Sequence, residues 1–294
     1  MSGADRIDVV KTGKLYIGGA SPRSESGRTF TIEDAKGRVY ARMAQASRKD
    51  TRDAIEAARA KGLPKWSGST AYLRGQVLYR FAEMIESRSE DLAGDLQRTG
   101  STAAAARKEV AASVDRMVSL AGWCDKLDQL LGCRNPVTGP YHNHTVPQAR
   151  GVIGVVTPAQ PRLLGLISMV GLILVPGNAV VAIVPREAAL QAITLGEMLA
   201  VSDMPAGAVN LLTGDVDELL EHLGAHGDVR AVLGAGLSKG QRADLRRAAA
   251  DSVLRPVHCV KFAGDDWVKD AVVSSPWMLD LVVDHKTIWH PASP

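Results

Sequence analysis

At 294 residues with a formal net charge of +3, the chain is long enough to bury one sizeable core or two modest ones. Its 46% apolar and 23% charged content excludes a disordered or fibrous chain and fits a soluble globular one. Lys and Arg are interspersed with Asp and Glu, as in KDTRDAIEAARAKG, and aromatics make up 4%, which gives solvated helix faces and excludes a nucleic-acid-binding stripe.

The first residues, MSGADRIDVVKTGK, lack the apolar core of a signal peptide. Cys124, Cys133 and Cys259 are an odd number without CxxC or His spacing, so the expectation is a reducing, cytoplasmic setting with no disulfide framework. Residues 14–20, KLYIGGA, have strand character and turn at Gly18-Gly19. SGRTFTIEDAKGRVYARMAQAS supplies two more strand-like pieces joined by the DAKG turn. Helical spacing of Ala54, Ile55 and Ala58 predicts a helix over 50–60. A helical region over 71–98 carries Leu73, Val77, Leu78, Phe81, Met84 and Ile85 as its buried stripe. A third helix, 102–131, turns Val110, Val114, Met117, Val118, Ala121 and Cys124 inward, with Cys124 as core filler.

Residues 132–148, GCRNPVTGPYHNHTVPQ, are polar and turn-rich, and YHNHTV suits an exposed strand. His142 and His144 share one face of that strand, but no third ligand accompanies them, and no metal is expected. The apolar run from Leu163 to Val184 is split by Pro176-Gly177-Asn178 into about 13 and about 6 residues, short of the ~20 needed to span a bilayer. A buried helix followed by a buried parallel strand is the expectation, with no membrane. GVIGVVT, AVVAIV, VNLL and VRAVL read as buried strands, with helices beginning near Arg162, Glu187, Asp215 and Ser238. That alternation specifies an α/β fold with a doubly wound parallel sheet.

Four segments in order carry a resemblance: the opening strand-strand-helix unit up to DTRDAIEAARA, the helix of WSGSTAYLRGQVLYRFAEMIESRSEDLA, the turn and strand of PGNAVVAIVPRE, and DMPAGAVNLLTG. Together they resemble the cofactor-binding half of the aldehyde dehydrogenase superfamily. The resemblance implies a Rossmann-like cofactor-domain fold over 1–131 and 149–264 and a small β oligomerisation arm from 132–148 and 280–294. Residues 265–279 would then be a short replacement for the family's catalytic domain.

Chemistry in that family uses a cysteine nucleophile, an amide that holds the oxyanion, a nicotinamide cofactor and a glutamate base. The amide position is matched here by Gln160, whose extra methylene displaces the donor by about an ångström, a costly error in a preorganised site. The ribose-binding lysine is matched by Val184 and the neighbouring serine by Arg186, while Glu187 is retained. The glycine-serine turn beneath the pyrophosphate falls on GAGLSKGQ, where Gly234 and Gly236 persist and Leu237 replaces the serine; its backbone N–H groups still offer an anion site. The 30 residues after Gly264 contain neither cysteine nor glycine, and no glutamate follows Glu221, so the base position near Val260 is also changed. Cys259 reads as a buried small residue, and His258 beside it points to the opposite strand face.

No catalytic residue is therefore assigned. Arg186, Glu187, Gly234 and Gly236 are the candidate contacts for NAD(P), and no bound cofactor is expected. LVVDHKTIWHP resembles the family's terminal arm strand, which pairs with the hairpin matched by PVTGPYHNHTV. A bare strand edge invites a partner: a complete aldehyde dehydrogenase or a second copy of this chain. The resulting expectation is a non-catalytic subunit, similar to the second, non-catalytic copy of two-copy family members. The alternatives are an NAD(P)-dependent aldehyde oxidoreductase completed by a partner chain, and a ligand-binding module that uses the altered cleft.

Overall fold

The computed structural model describes residues 9–250 and 256–292. Residues 1–8, and those parts of the expected 149–264 and 280–294 segments that fall at 251–255 and 293–294, lie outside the described residues.

The chain opens with a three-stranded sheet of β1 (Lys11–Gly13), β2 (Thr29–Glu33) and β3 (Val39–Ala44), in the order β1-β3-β2. The turn between β2 and β3 needs a left-handed residue, and Gly37 supplies it at φ +75°. The expected strand over 14–20 is corrected: the strand ends at Gly13, and Tyr16 and Ile17 form only isolated bridges, to Leu211 and Ala20. Backbone alternation looks the same on either side of a strand end, so Leu15 and Tyr16, both buried, gave a strand signal without a strand.

Five α-helices and a π-turn come next, with a sixth, short helix before the chain returns to strands. The five are α1 (Arg48–Ala57), continued by the π-turn Ala58–Gly62, then α2 (Leu63–Ser67), α3 (Ala71–Ser87), α4 (Ser89–Arg98) and α5 (Ala103–Trp123). Ser47 and Asp50 form a reciprocal capping box that sets the start of α1. Two expected continuous helices are each interrupted: 71–98 breaks at Arg88, and 102–131 breaks after Trp123 before the short α6 (Leu127–Leu131). The expected stripes also shift, because Leu73 and Val118 are exposed on the outer faces of α3 and α5.

Next come β4 (Cys133–Arg134) and β5 (Tyr141–Ala149), and after them the alternating half: β6 (Val152–Val156), α7 (Arg162–Leu174), β7 (Ala179–Pro185), α8 (Ala189–Ala200), β8 (Val209–Gly214), α9 (Val216–Ala225), β9 (Val229–Ala235), α10 (Lys239–Ala249) and β10 (Val257–Val260). The order β10-β9-β6-β7-β8 is parallel throughout, with helices on both faces. Every residue of β6, β7 and β8 is buried, which is why these strands read as unbroken apolar runs. Every residue from Leu163 to Leu174 is buried too, so α7 is a core helix, and no helix among the described residues is long and apolar enough to cross a membrane. Burying each such Leu or Ile contributes about 1.5–3 kcal/mol. Helix α5 crosses α7 at Gly171, where an added Cβ would come within 2.6 Å of Leu120.

Past β10 the chain makes a 3₁₀ turn (Gly264–Val268), α11 (Asp270–Val273), α12 (Pro276–Asp280) and β11 (Val283–Pro291). Strand β11 pairs antiparallel with β5 along its full length, from Val283 opposite Ala149 to Pro291 opposite Tyr141. With β4 they form a second three-stranded sheet, in the order β11-β5-β4. Tyr141 and Trp289 meet edge-to-face at 5.9 Å, and the Thr145 and Thr287 hydroxyls are 2.9 Å apart.

This small sheet is rooted at the amino-terminal edge of the large one. Asn178, wholly buried, accepts from the Gly151 N–H at 2.9 Å and donates to the carbonyls of Ile173 (3.1 Å) and Val282 (2.8 Å). Arg150 donates through Nη2 to the Val283 carbonyl at 2.5 Å and pairs with Asp284 at 3.0 Å. Farther along, the buried Arg116 of α5 ties down the connecting segment through Asp270 (2.6 Å), the Trp267 carbonyl (2.7 Å) and Ser168 (3.1 Å).

Candidate functional site

Open parallel sheets bind ligands outside the carboxyl ends of their strands, where the winding direction reverses. Here the reversal lies between β6 and β9, and a cleft of about 270 Å³ opens there. Val156, Thr157 and Ala159 line it from β6, Pro185, Arg186 and Glu187 from β7, Gly214, Asp215 and Val216 from β8, and Ala235, Gly236 and Leu237 from β9.

Of the residues singled out in the sequence, Arg186, Glu187 and Gly236 are brought together in this lining. Gly236, at φ +72°, makes the left-handed turn that ends β9. Gly234 lies buried within β9, under the side chain of Leu237: a Cβ at Gly234 would fall 2.4 Å from Leu237 Cδ1. The leucine therefore folds back over the strand, is itself buried, and occupies space beneath the turn. Val184 is fully buried in β7 and presents no polar atom to the cleft. Gln160 is exposed in the loop before α7; with its amide oxygen turned to Arg162 it accepts from Nε at 2.9 Å and Nη2 at 3.1 Å.

The helix N-termini at this edge are satisfied from within the chain. At α10, the Ser238 hydroxyl accepts from the Gln241 N–H (3.1 Å) and the Gln241 carbonyl oxygen of the side chain accepts from the Ser238 N–H (2.9 Å). The Gln241 amide then donates to Asp217 at 2.7 Å. At α7, whose N-cap Pro161 has no capping side chain, Glu109 reaches across from α5 and accepts from the Leu163 and Leu164 N–H groups at 2.7 and 3.2 Å.

Arg186 is held at the rim. Its guanidinium lies 5.0 Å from the Phe30 ring centroid and donates to the Gln45 amide oxygen at 2.9 Å. Gln45 donates onward to Glu218 at 3.1 Å, and Glu218 pairs with Arg28. The Arg28 hydrogen bond holds the Glu218 carboxyl below the usual carboxylate range. Among the lining residues the carboxylates of Glu187 and Asp215 outnumber the one cation, Arg186, whose guanidinium is already engaged by Gln45 and Phe30.

The thiols lie elsewhere. Cys124 is buried between α3 and α5, and burial pushes its thiol up to about 12; Cys259 sits partly buried in β10, and Cys133 is exposed on β4. No group of three or more His, Cys, Asp or Glu among the described residues is placed to hold a metal ion. His142 and His144 instead face His290 and Ile288 across the β5–β11 ladder.

Sequence reasoning missed Gln45, Glu218, Glu109 and Asp217. Only the Ser238–Gln241 pair had a local signal, the S-x-x-Q spacing of a capping box. The others come from elements far apart in the chain.

Residues 22–257 match the model of the aldehyde dehydrogenase family. The chain is 31% identical over 250 residues to aldehyde dehydrogenase family 2 member B4, mitochondrial, of Arabidopsis thaliana, covering 83% of this chain and 45% of that protein. It is 32% identical over 257 residues to 2-hydroxymuconic semialdehyde dehydrogenase of Pseudomonas sp. (strain CF600), covering 83% and 51%. Among solved structures, an NAD-dependent benzaldehyde dehydrogenase from Corynebacterium glutamicum superposes with a TM-score of 0.76 at 25% identity, covering 84% of this chain and 53% of that one. The chain thus spans about half the length of the curated relatives it matches.

Proposed function

The chain belongs to the aldehyde dehydrogenase family, and we propose that within it this chain serves as a non-catalytic subunit that joins a complete aldehyde dehydrogenase through its small sheet. The observation that carries the reading is Leu237 folded over Gly234, with the N-terminus of α10 capped by Ser238 and Gln241, where a dinucleotide-binding member would present free N–H groups to a pyrophosphate. The carboxylates of Glu187 and Asp215 oppose an anion there, and the apolar Val184 offers a ribose hydroxyl no donor. These residues do not fit NAD(P). Residues 261–282, which join β10 to β11, contribute neither a cysteine nor a glutamate to stand over the cleft. The small sheet has its own supports: β11 is paired on one side by β5, and its outer edge leaves backbone groups available to another sheet.

Titration of the purified chain with NADH, followed by nicotinamide fluorescence, tests the cleft. No saturable binding is expected up to about 1 mM, and a Kd in the range of tens of micromolar would overturn the reading. Co-expression with a full-length aldehyde dehydrogenase from the same source, followed by native mass measurement, tests the partnership; two species that never form a mixed assembly would refute it. Binding of NADH together with aldehyde turnover only in the mixed assembly would point instead to an oxidoreductase completed by its partner.

A further inference from the structure

A groove of about 680 Å³ runs between the outer faces of α3 and α5, more than twice the size of the cleft at the strand ends and sharing no residue with it. Pockets in this range hold small organic molecules. The floor is close to bare backbone. Gly75 brings α3 so near α5 that a Cβ there would stand 3.1 Å from the Ala121 carbonyl oxygen, and Gly122 continues the floor. The walls are apolar: Tyr72 and Tyr79, 68% and 52% exposed, rise from α3, and Val118 is exposed opposite them on α5. Seven residues separate the two tyrosines, which sets them two turns, or about 10 Å, apart along one side of the helix.

The four charges of the lining are not equivalent. Arg80 and Glu83 pair with each other at 2.6 Å. Lys126, in the turn after α5, folds back over the floor: a Cβ at Gly122 would come within 3.3 Å of its Nζ. That ammonium has no hydrogen-bond or ion-pair partner among the described residues, so its three donors stand over the floor unused. Asp125 is also without an ion pair among the described residues, and its charge sets a limit on what Lys126 can hold. We propose that this groove binds an aromatic carboxylate, with the planar ring on the glycine floor between Tyr72 and Tyr79 and the carboxylate on Lys126. Aromatic walls favour a ring that meets them edge-to-face, and the floor, lacking side chains, admits a flat body against the backbone. The unpaired ammonium selects a carboxylate over a neutral acceptor, because its hydrogen bonds are then charge-assisted.

Calorimetric titration of the full chain with 2-naphthoate tests this, and a Kd of about 100 µM is expected for a ligand of that size. The backbone amides of Gly75 and Gly122 are expected to shift in NMR spectra with the same saturation curve. Lys126→Gln is expected to weaken binding about fivefold and Asp125→Asn to strengthen it about twofold, opposite effects that a general apolar attraction does not give. 2-Naphthylmethanol, the same ring without the charge, is expected to bind about fivefold more weakly than 2-naphthoate and to be indifferent to Lys126→Gln. Gly122→Leu fills the floor against nothing stiffer than the Lys126 side chain and is expected to abolish binding. The proposal is overturned by a lack of saturable binding below about 5 mM, by equal 2-naphthoate affinity in the wild type and Lys126→Gln, or by undiminished binding in Gly122→Leu. Should Gly122→Leu not fold, the exposed Lys126→Gln and Asp125→Asn changes decide alone.

Discussion

The two ends of the large parallel sheet solve opposite problems. At the carboxyl end, strands that in related folds deliver groups to a ligand deliver them to each other: Ser238 to Gln241, Glu109 to the start of α7, Arg186 to Gln45, and Leu237 to the strand beneath it. At the amino end, polar groups reach out of the sheet to hold another element, Asn178 and Arg150 gripping Val282, Val283 and Asp284. Polar side chains that bond to one another around the rim leave little for an incoming molecule, whereas those that reach out of the sheet fix the position of another element. Fold identity and site identity thus separate within a single sheet.

The strongest challenge to this contrast is Asn178→Ala. It leaves the Gly151 N–H and two carbonyls buried without partners, and a loss of about 3 kcal/mol is expected in urea unfolding. A loss under about 1 kcal/mol would mean that the joint tolerates water and does not act as a grip. At the other end, Leu237→Ala opens a void over Gly234 and is expected to cost about 2 kcal/mol by the same measurement. Such a variant sharpens the comparison if it still fails to bind NADH, since the carboxylate rim and Val184 are unchanged. Ser238→Ala removes the cap of α10 and is expected to cost about 1 kcal/mol, read as a lowered thermal midpoint.

The smallest effect is on pH dependence. The folded-state pKa of His258 is depressed below its unfolded value, so the folded chain binds the proton less readily than the unfolded one. Its stabilising contribution is complete above the unfolded value of about 6.5 and declines as pH falls through that value toward the folded one. Chemical denaturation across this window is expected to show a shallower acid loss in His258→Phe than in the wild type; parallel curves would assign the acid sensitivity to other groups.

Much of the architecture could be read from residues alone because fully buried strands and helices write continuous apolar runs, and PGN, DAKG and SKGQ punctuate them. The breaks at Arg88 and after Trp123 could not, since Arg, Cys and Asp are tolerated inside helices, no Gly or Pro marks Arg88, and Gly122 beside the second break still lies inside α5. Leu73 and Val118 were misplaced for a related reason: the helical period predicts a face, but neighbours decide how wide the buried part of that face is. Arg186, Glu187 and Gly236 were singled out through the family resemblance, and the fold brings them into one lining. The Arg186–Gln45–Glu218–Arg28 chain was not, because its members are brought together only by the finished fold. Gln191, buried with both amide atoms unpartnered, likewise left no trace in a pattern that allows glutamine on any helix.

The disposition of the three thiols has a practical consequence for labelling. With its pKa pushed up to about 12, Cys124 holds almost no thiolate at neutral pH and lies under α3 and α5, out of reach of a maleimide. Cys133 sits open to solvent on β4, at the margin of the small sheet. A fluorophore attached there would report any second chain arriving at that sheet without a single substitution.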